Sequence, residues 1–304
     1  MTYLSVGIVG HGSVALVHVA SLSGLPGIRT SAVLGRDAAR AARFAGQIGA
    51  TAFGEIAAFA DAIDLAIIAS PSACHAEHAA ELLKRGVSVL IELPVARDSA
   101  EFATIRAANP GGGVSVFSTH TARFLAATAL VSAVLEKGQL GSVQRVTIER
   151  SVRHRDRSWP DDPLLHHGQH ALDLLDVWFG TIALGSATIA ADGKSVVVTG
   201  SVGHDTPFSL SVGHEAAQES MRVSILGSGG WIRTDGFGRA ETSPGISTQG
   251  WRHRDPGDAY LGAISAQDAA VVEAIRGSGT YPSIEASART TELVDVARAL
   301  ARRR

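Results

Sequence analysis

Only one cysteine, Cys74, occurs in 304 residues, so no internal disulfide can form and a reducing cytoplasm is the expected compartment. Charge of either sign is not in excess: the formal net charge is −2, which calls for neither nucleic acid nor an anionic membrane surface. The one clear run of like charge, Arg302-Arg303-Arg304, reads as a solvated helix tail. No stretch reaches the roughly 18 consecutive apolar residues of a membrane span. Met1-Thr2-Tyr3-Leu4 is not a charged stretch leading into an apolar run, so no signal peptide is expected. Internal repeats and low-complexity tracts are missing too.

What is present is a globular composition, 45% hydrophobic and 18% charged, long enough for a large core and for two domains. Up to residue 119, short apolar runs (4–9, 30–34, 64–69, 87–91) alternate with helical patterns (13–23, 37–48, 76–85). Near-continuous apolar strands alternating with helices predict a parallel sheet covered on both faces. Beyond residue 120 the rhythm changes. Helical patterns cover 122–137 and 164–178, and strand patterns cover 143–152, 187–190, 195–199, 208–212, 221–226 and 230–233. Strands clustered without intervening helices predict an open, mostly antiparallel sheet. Residues 235–258 read as loop, and helices 259–276 and 284–302 close the chain. The expected organisation is α/β, with a dinucleotide-binding domain over 1–119 and a substrate-binding and oligomerisation domain over 120–304, the last helix packing back on the first domain. A sheet covered by helices on one face only leaves an apolar face, which predicts a homodimer or homotetramer.

The first strand runs into Gly10-His11-Gly12-Ser13-Val14-Ala15, a G-x-G-x-x-A between strand and helix. The glycines permit a tight turn and close backbone approach, and the N–H groups of Ser13, Val14 and Ala15 open the helix toward a pyrophosphate. Placed on the first strand of a βαβ unit, the motif points to a nicotinamide dinucleotide. NAD enzymes usually end the second strand with an acid that holds the ribose hydroxyls. Here that strand ends Val33-Leu34-Gly35-Arg36: Gly35 leaves room, and Arg36 can pair with a 2′-phosphate, so NADP is expected ahead of NAD. The neighbouring Asp37 is expected to cap the next helix instead.

Farther on, His166, His170 and Asp173 fall at i, i+4 and i+7, close to one helix face. Imidazole is the natural general base near neutral pH, and a carboxylate one turn away can orient it. The same spacing is compatible with structural histidines or with a zinc site, although no cysteine cluster supports a metal and none is expected. Arg123, Arg153, Arg155 and Arg157 are candidate clamps for substrate carboxylates or, equally, structural ion-pair partners. His120 and Trp159 are candidate pocket residues, and His75 is expected to serve at a helix end.

Together with Ser70-Pro71-Ser72-Ala73-Cys74-His75 and Ile91-Glu92-Leu93-Pro94, these motifs resemble the Gfo/Idh/MocA oxidoreductases over nearly the whole chain. The resemblance implies a Rossmann domain followed by an α/β domain with an open antiparallel sheet, and it brings Ser70, Pro71 and Glu92 to the cofactor. The family typically carries E-K-P and D-x-G-x-H-x-x-D. Here they read Glu92-Leu93-Pro94 and His166-His167-Gly168-Gln169-His170-Ala171-Leu172-Asp173, so Leu93 replaces the lysine and His166 the first aspartate. Both departures, with Arg157-Ser158-Trp159 and His120-Thr121-Ala122-Arg123-Phe124, resemble a branch that uses NADP to oxidise semialdehydes from aromatic ring cleavage. That resemblance implies oxidation of a cyclic hemiacetal to a lactone. His170 would be the base and Asp173 its partner, with His120, Arg123, Arg153, Trp159, His166 and His167 around the substrate. No thiolate is required, unlike in ordinary aldehyde dehydrogenases. A sugar or polyol dehydrogenase and a cofactor-binding sensor without turnover are the alternatives.

Overall fold

A computed structural model describes residues 3–153, 162–217, 219–248 and 251–302. The chain divides into two compact units. The first runs to Thr119 and also takes Ile264–Thr291; the second comprises His120–Ala263 and the residues from Glu292 onward. A continuous second domain over 120–304 therefore does not describe the chain.

In the first unit, β1 (Leu4–Val9), α1 (Ser13–Ser23), β2 (Ile28–Leu34), α2 (Ala38–Ile48), β3 (Thr51–Phe53), α3 (Ile56–Ala60), β4 (Leu65–Ile68), α4 (His75–Leu83), β5 (Ser88–Ile91), α5 (Ser99–Ala108) and β6 (Val116–Ser118) follow in order. The sheet order is β3-β2-β1-β4-β5-β6, all parallel. Every residue of β4 and β5 is buried, which explains their unbroken apolar or small-residue sequences, Leu-Ala-Ile-Ile and Ser-Val-Leu-Ile. The sequence pattern missed β3, α3 and β6, which are three to five residues long and too short for a periodic signal.

The second unit holds α6 (Ala126–Glu136), β7 (Val143–Arg153), α7 (Gln169–Phe179), β8 (Ile182–Ile189), β9 (Ser195–Val202), β10 (Thr206–Ala216), β11 (Ser220–Gly227), β12 (Gly230–Thr234) and β13 (Ala240–Thr242). Its sheet is ordered β13-β12-β11-β7-β10-β9-β8 and is antiparallel except for the β7–β10 pair. Strand β13 lies within the stretch expected to be loop. The helix expected over 122–137 is broken: a 3-10 turn over Thr121–Phe124 ends at the extended Leu125, where α6 begins. The chain closes with α8 (Pro256–Ile275) and α9 (Ile284–Arg302), each contributing to both units.

One face of the second sheet is apolar and packs on helices. Val146, Ile148, Leu210, Val212 and Ile225 join Leu172 and Leu175 of α7 in a single core. Each fully buried leucine contributes roughly 1.5–3 kcal/mol. Leu172 and Leu175 therefore anchor α7 and fix the outlook of His170 and Asp173. The opposite face is not the apolar surface that the sequence predicts. Thr147, Ser209, Ser211 and Ser224 alternate with the inward row, Glu149 pairs with Arg222, and Val197 stands among them 42% exposed.

Candidate active site

In the first unit the strand order reverses between β1 and β4, and a ligand crevice is expected outside the carboxyl ends of those strands. Gly10, Gly12, Ser70 and Pro71 sit there. Gly10 has φ +108°, and a Cβ on it would lie 2.6 Å from the Ala69 carbonyl oxygen, so only glycine fits. A Cβ on Gly12 would meet nothing within 4 Å: the turn faces open space. Gly12 is the N-cap of α1 and supplies no side-chain cap, which leaves the first-turn N–H groups of Ser13, Val14 and Ala15 directed at that space. These features suit a dinucleotide pyrophosphate. Arg36 is exposed just past β2, and Asp37 caps α2 by accepting from the Arg40 N–H at 3.0 Å, as its position predicts.

The loops after β4 and β5 are tied together. His75, buried at the start of α4, sets one ring nitrogen 2.7 Å from the Ser70 carbonyl oxygen and the other 2.8 Å from that of Pro94. The Ser70 hydroxyl bonds His78. Leu93 is buried in the core of the unit, and its N–H donates to the Thr119 hydroxyl.

Sequence analysis missed a buried charged trio in the same unit. His18 of α1 has no solvent exposure. Its Nε2 lies 2.8 Å from Glu92 Oε1, and its Nδ1 lies 2.9 and 3.0 Å from the two oxygens of Asp268 on α8. Burial opposes a charge on His18, but the two carboxylates outweigh it and hold the imidazole pKa at about 10. The folded value lies above the unfolded value of about 6.5, so the stabilisation is complete below pH ~6.5 and is lost as pH rises toward ~10. Wild type is therefore expected to lose thermal stability across that alkaline window, and His18→Gln to lose much less of it. Melting temperatures measured from pH 6 to about 10 decide this; parallel curves would remove the ion-pair account.

In the second unit, Asp173 of α7 is buried and held by three bonds. Arg123 Nε donates to Oδ2 at 2.8 Å, its Nη2 donates to Oδ1 at 2.5 Å, and His120 Nδ1 lies 3.1 Å from Oδ2. Burial raises the carboxyl pKa, yet Arg123 and His120 overcome it and keep it well below the usual carboxylate range. Two expectations change here. The fork of Arg123 is occupied by Asp173, so Arg123 is a structural ion-pair partner rather than a bidentate clamp on substrate. The orienting role of Asp173 is exerted on His120 rather than on His170.

The helix expected to begin at residue 164 does so with a π turn, Leu164–Gly168, a geometry often found at functional sites. Asp162 caps it by accepting from the Leu165 N–H at 2.9 Å, and Arg298 holds the other carboxylate oxygen at 2.5 Å. Gly168 permits the close fit: a Cβ there would stand 2.6 Å from Leu164 and 3.5 Å from Val212 of β10. The widened turn presents His166 and His167 side by side, with ring centroids 4.4 Å apart. His167 Nδ1 lies 2.8 Å from Nε2 of His214, a residue the sequence offered no reason to choose. It follows Phe208, Leu210 and Val212 on the inward parity of β10, which is the signal that could have found it. Burial first, then the neighbouring His166, Arg150, His214 and His170, push the His167 pKa far below the ordinary imidazole value, so its ring is neutral. His170, half-buried on the first turn of α7, belongs to the same electrostatic neighbourhood. Arg153 is exposed at the end of β7, and Trp159, Arg155 and Arg157 lie outside the described residues. Among the described residues no group of three or more His, Cys, Asp or Glu side chains could hold a metal ion, and no helix is long and apolar enough to cross a membrane.

Residues 4–120 match the Gfo/Idh/MocA family model, an oxidoreductase family with an NAD-binding Rossmann fold. The chain is 24% identical over 249 residues to 4-carboxy-2-hydroxymuconate-6-semialdehyde dehydrogenase of Sphingobium sp. (strain NBRC 103272 / SYK-6), covering 75% of this chain and 78% of that protein. Two solved structures share the fold. The WlbA dehydrogenase of Bordetella pertussis, in complex with NADH and UDP-GlcNAcA, has a TM-score of 0.87 at 18% identity, over 99% of this chain and 96% of the other. Levoglucosan dehydrogenase, in complex with NADH and levoglucosan, has a TM-score of 0.83 at 16% identity, over 99% and 98%. The chain is thus similar to the Gfo/Idh/MocA oxidoreductases, whose NAD-binding Rossmann model matches residues 4–120, and the proteins it resembles include dehydrogenases.

Proposed function

We propose that this oxidoreductase is a cytoplasmic, NADP-dependent dehydrogenase that oxidises the cyclic hemiacetal of a ring-cleavage semialdehyde to a lactone. The observation that carries this is the second-unit cluster. Imidazoles from the π turn, α7 and β10 gather in one neighbourhood, α7 also carries a carboxylate kept ionised by Arg123 and His120, and the position of the family's usual lysine is a buried leucine. His170 takes the proton of the hemiacetal hydroxyl. A nicotinamide cofactor held at the Gly10–Ala15 turn would supply the hydride acceptor for the same carbon, whose C–O bond would then become the lactone carbonyl. His120 and Asp173 fix the local polarity, and His166 and His167 contact the substrate. The likeness to the Sphingobium dehydrogenase supports this substrate class. A sugar substrate is the second reading, favoured by the carbohydrate ligands of similar folds. A screen for cofactor reduction with ring-cleavage semialdehydes and with common sugars separates the two. Cofactor binding without turnover on any compound would favour a sensor.

NADP is assigned from Gly35-Arg36. A well-formed arginine–phosphate contact is worth roughly 1.5–3 kcal/mol, or about one to two decades in affinity. Arg36→Ala is expected to weaken NADP by about that much and to leave NAD nearly unchanged. Equal losses for the two cofactors, measured by titration, would reject the assignment. A homodimer or homotetramer is proposed through the outer face of the second sheet, where Ser211 and Thr188 flank the exposed Val197; a monomer by light scattering at working concentration would remove it.

A further inference from the structure

Helix α4 carries two histidines three residues apart, His75 and His78, and both reach back to Ser70 in the loop after β4. His75 is 2% exposed, and its two ring nitrogens face the carbonyl oxygens of Ser70 and Pro94 at 2.7 and 2.8 Å. A carbonyl oxygen has no proton to offer, and a neutral imidazole has only one N–H. A neutral ring would therefore set a nitrogen lone pair against an oxygen lone pair at bonding distance. The doubly protonated ring satisfies both contacts.

His78 is a different case. Its Nδ1 lies 3.0 Å from the Ser70 hydroxyl, which can donate or accept, so a neutral ring suffices. Burial first, then the charge of His75, push the His78 pKa below the ordinary imidazole value, with Glu77 opposing. Helix α4 thus grips Ser70 at both its carbonyl and its hydroxyl. The grip bears on the Gly-rich turn after β1. A Cβ on Gly10 would stand 2.6 Å from the Ala69 carbonyl oxygen and 3.0 Å from the Ser70 nitrogen, so that turn lies directly against the segment His75 holds. On the other side, β5 is the parallel neighbour of β4, and Pro94 belongs to the loop that follows β5. His75 therefore sets the spacing of two loops at the carboxyl ends of adjacent strands, where a ligand crevice is expected.

We propose that His75 is a positioning residue of the dinucleotide crevice, working as a buried imidazolium whose two N–H groups tie the Ser70 and Pro94 loops together behind the Gly10 turn. This rests on the reading of the chain as a nicotinamide enzyme. Hydrogen bonds from a charged donor are roughly twice as strong as neutral ones, and a buried carbonyl that loses its donor is left unsatisfied.

The informative variant is His75→Gln. A carboxamide reproduces the neutral ring: one end donates and the other only accepts. The variant should be nearly silent if His75 is neutral, and should release one of the two loops if it is an imidazolium. Two measurements on the full chain test this. In isotope-labelled histidine spectra of the cofactor-free wild type at neutral pH, both ring nitrogens of His75 should carry protons; one unprotonated nitrogen overturns the proposal. In calorimetric titrations, His75→Gln should raise the dissociation constants of NADP⁺ and NAD⁺ by similar factors of about ten, since the Gly10 turn serves both. A merely structural tie would lower the melting temperature and leave both constants unmoved, which overturns the proposal equally. If His75→Gln does not fold, the wild-type spectrum decides alone, with the His75 ring identified from its side-chain correlations. A wild type that binds neither dinucleotide would overturn the functional reading and this inference with it; binding unchanged by His75→Gln overturns this inference alone.

Discussion

Arg123→Ala is expected to destabilise the second unit by about 3–5 kcal/mol, the usual cost of leaving a buried carboxylate without its cation. Asp173 has 4% side-chain exposure, and Arg123 supplies two of its three bonds. Arg123→Lys should recover only part of the loss, because an ammonium replaces the two-pronged fork by a point charge. Arg123→Leu/Asp173→Leu should be less damaging than Arg123→Ala, since it removes the buried charge together with its partner. The pH dependence has a definite sign. The carboxyl of Asp173 is held below its ordinary value, so its contribution is present above about pH 4 and is lost as pH falls through the folded-state value. Urea denaturation of the variants at pH 7 and near pH 3 measures both effects. A cost under about 1 kcal/mol for Arg123→Ala would mean that the pair behaves as a surface salt bridge.

The parts of this molecule that were legible in the sequence are those whose causes are local. The strand, G-x-G-x-x-A turn and helix are contiguous, and Gly10 and Gly12 reveal themselves by being glycines at fixed spacing. Asp37 declares its capping role by lying just before an amphipathic helix. The π turn was not legible: Gly168 sits where a Cβ would crowd Leu164 of the same turn, and a glycine inside a helical pattern does not by itself announce a widened turn. His18 looks like any residue of an apolar helix until Glu92, 74 positions later, and Asp268, 250 positions later, close on its ring. Arg123 could be read two ways for the same reason. Its chemistry suits any carboxylate, and only the fold decides that Asp173 takes it before a substrate can.

His170→Asn is expected to lower turnover by about 10²–10⁴-fold, the range for losing a general base, while cofactor affinity changes little. His170 stands on the first turn of a helix anchored by Leu172 and Leu175, so a near-isosteric amide should leave the fold in place. The neighbouring His167 cannot readily replace it. Burial and the surrounding positive charge hold that ring neutral, and they also make it a poor proton acceptor. In the wider family, as the resemblance implies, a lysine shares the proton transfer with the histidine; here that position is Leu93, buried in the first unit's core with no proton to give or take. A hemiacetal hydroxyl is more acidic than a plain secondary alcohol, so one imidazole base suffices for the proposed substrate class and would be taxed by a plain sugar alcohol. Leu93→Lys should therefore fail to improve activity on a semialdehyde. Steady-state rates and cofactor titrations on both variants decide between the alternatives. Near-normal turnover in His170→Asn would make His170 structural and end the proposed mechanism. Strong sugar or polyol oxidation gained by Leu93→Lys would show that the pocket suits the substrates carried by the similar sugar-binding folds, and the semialdehyde assignment would fall.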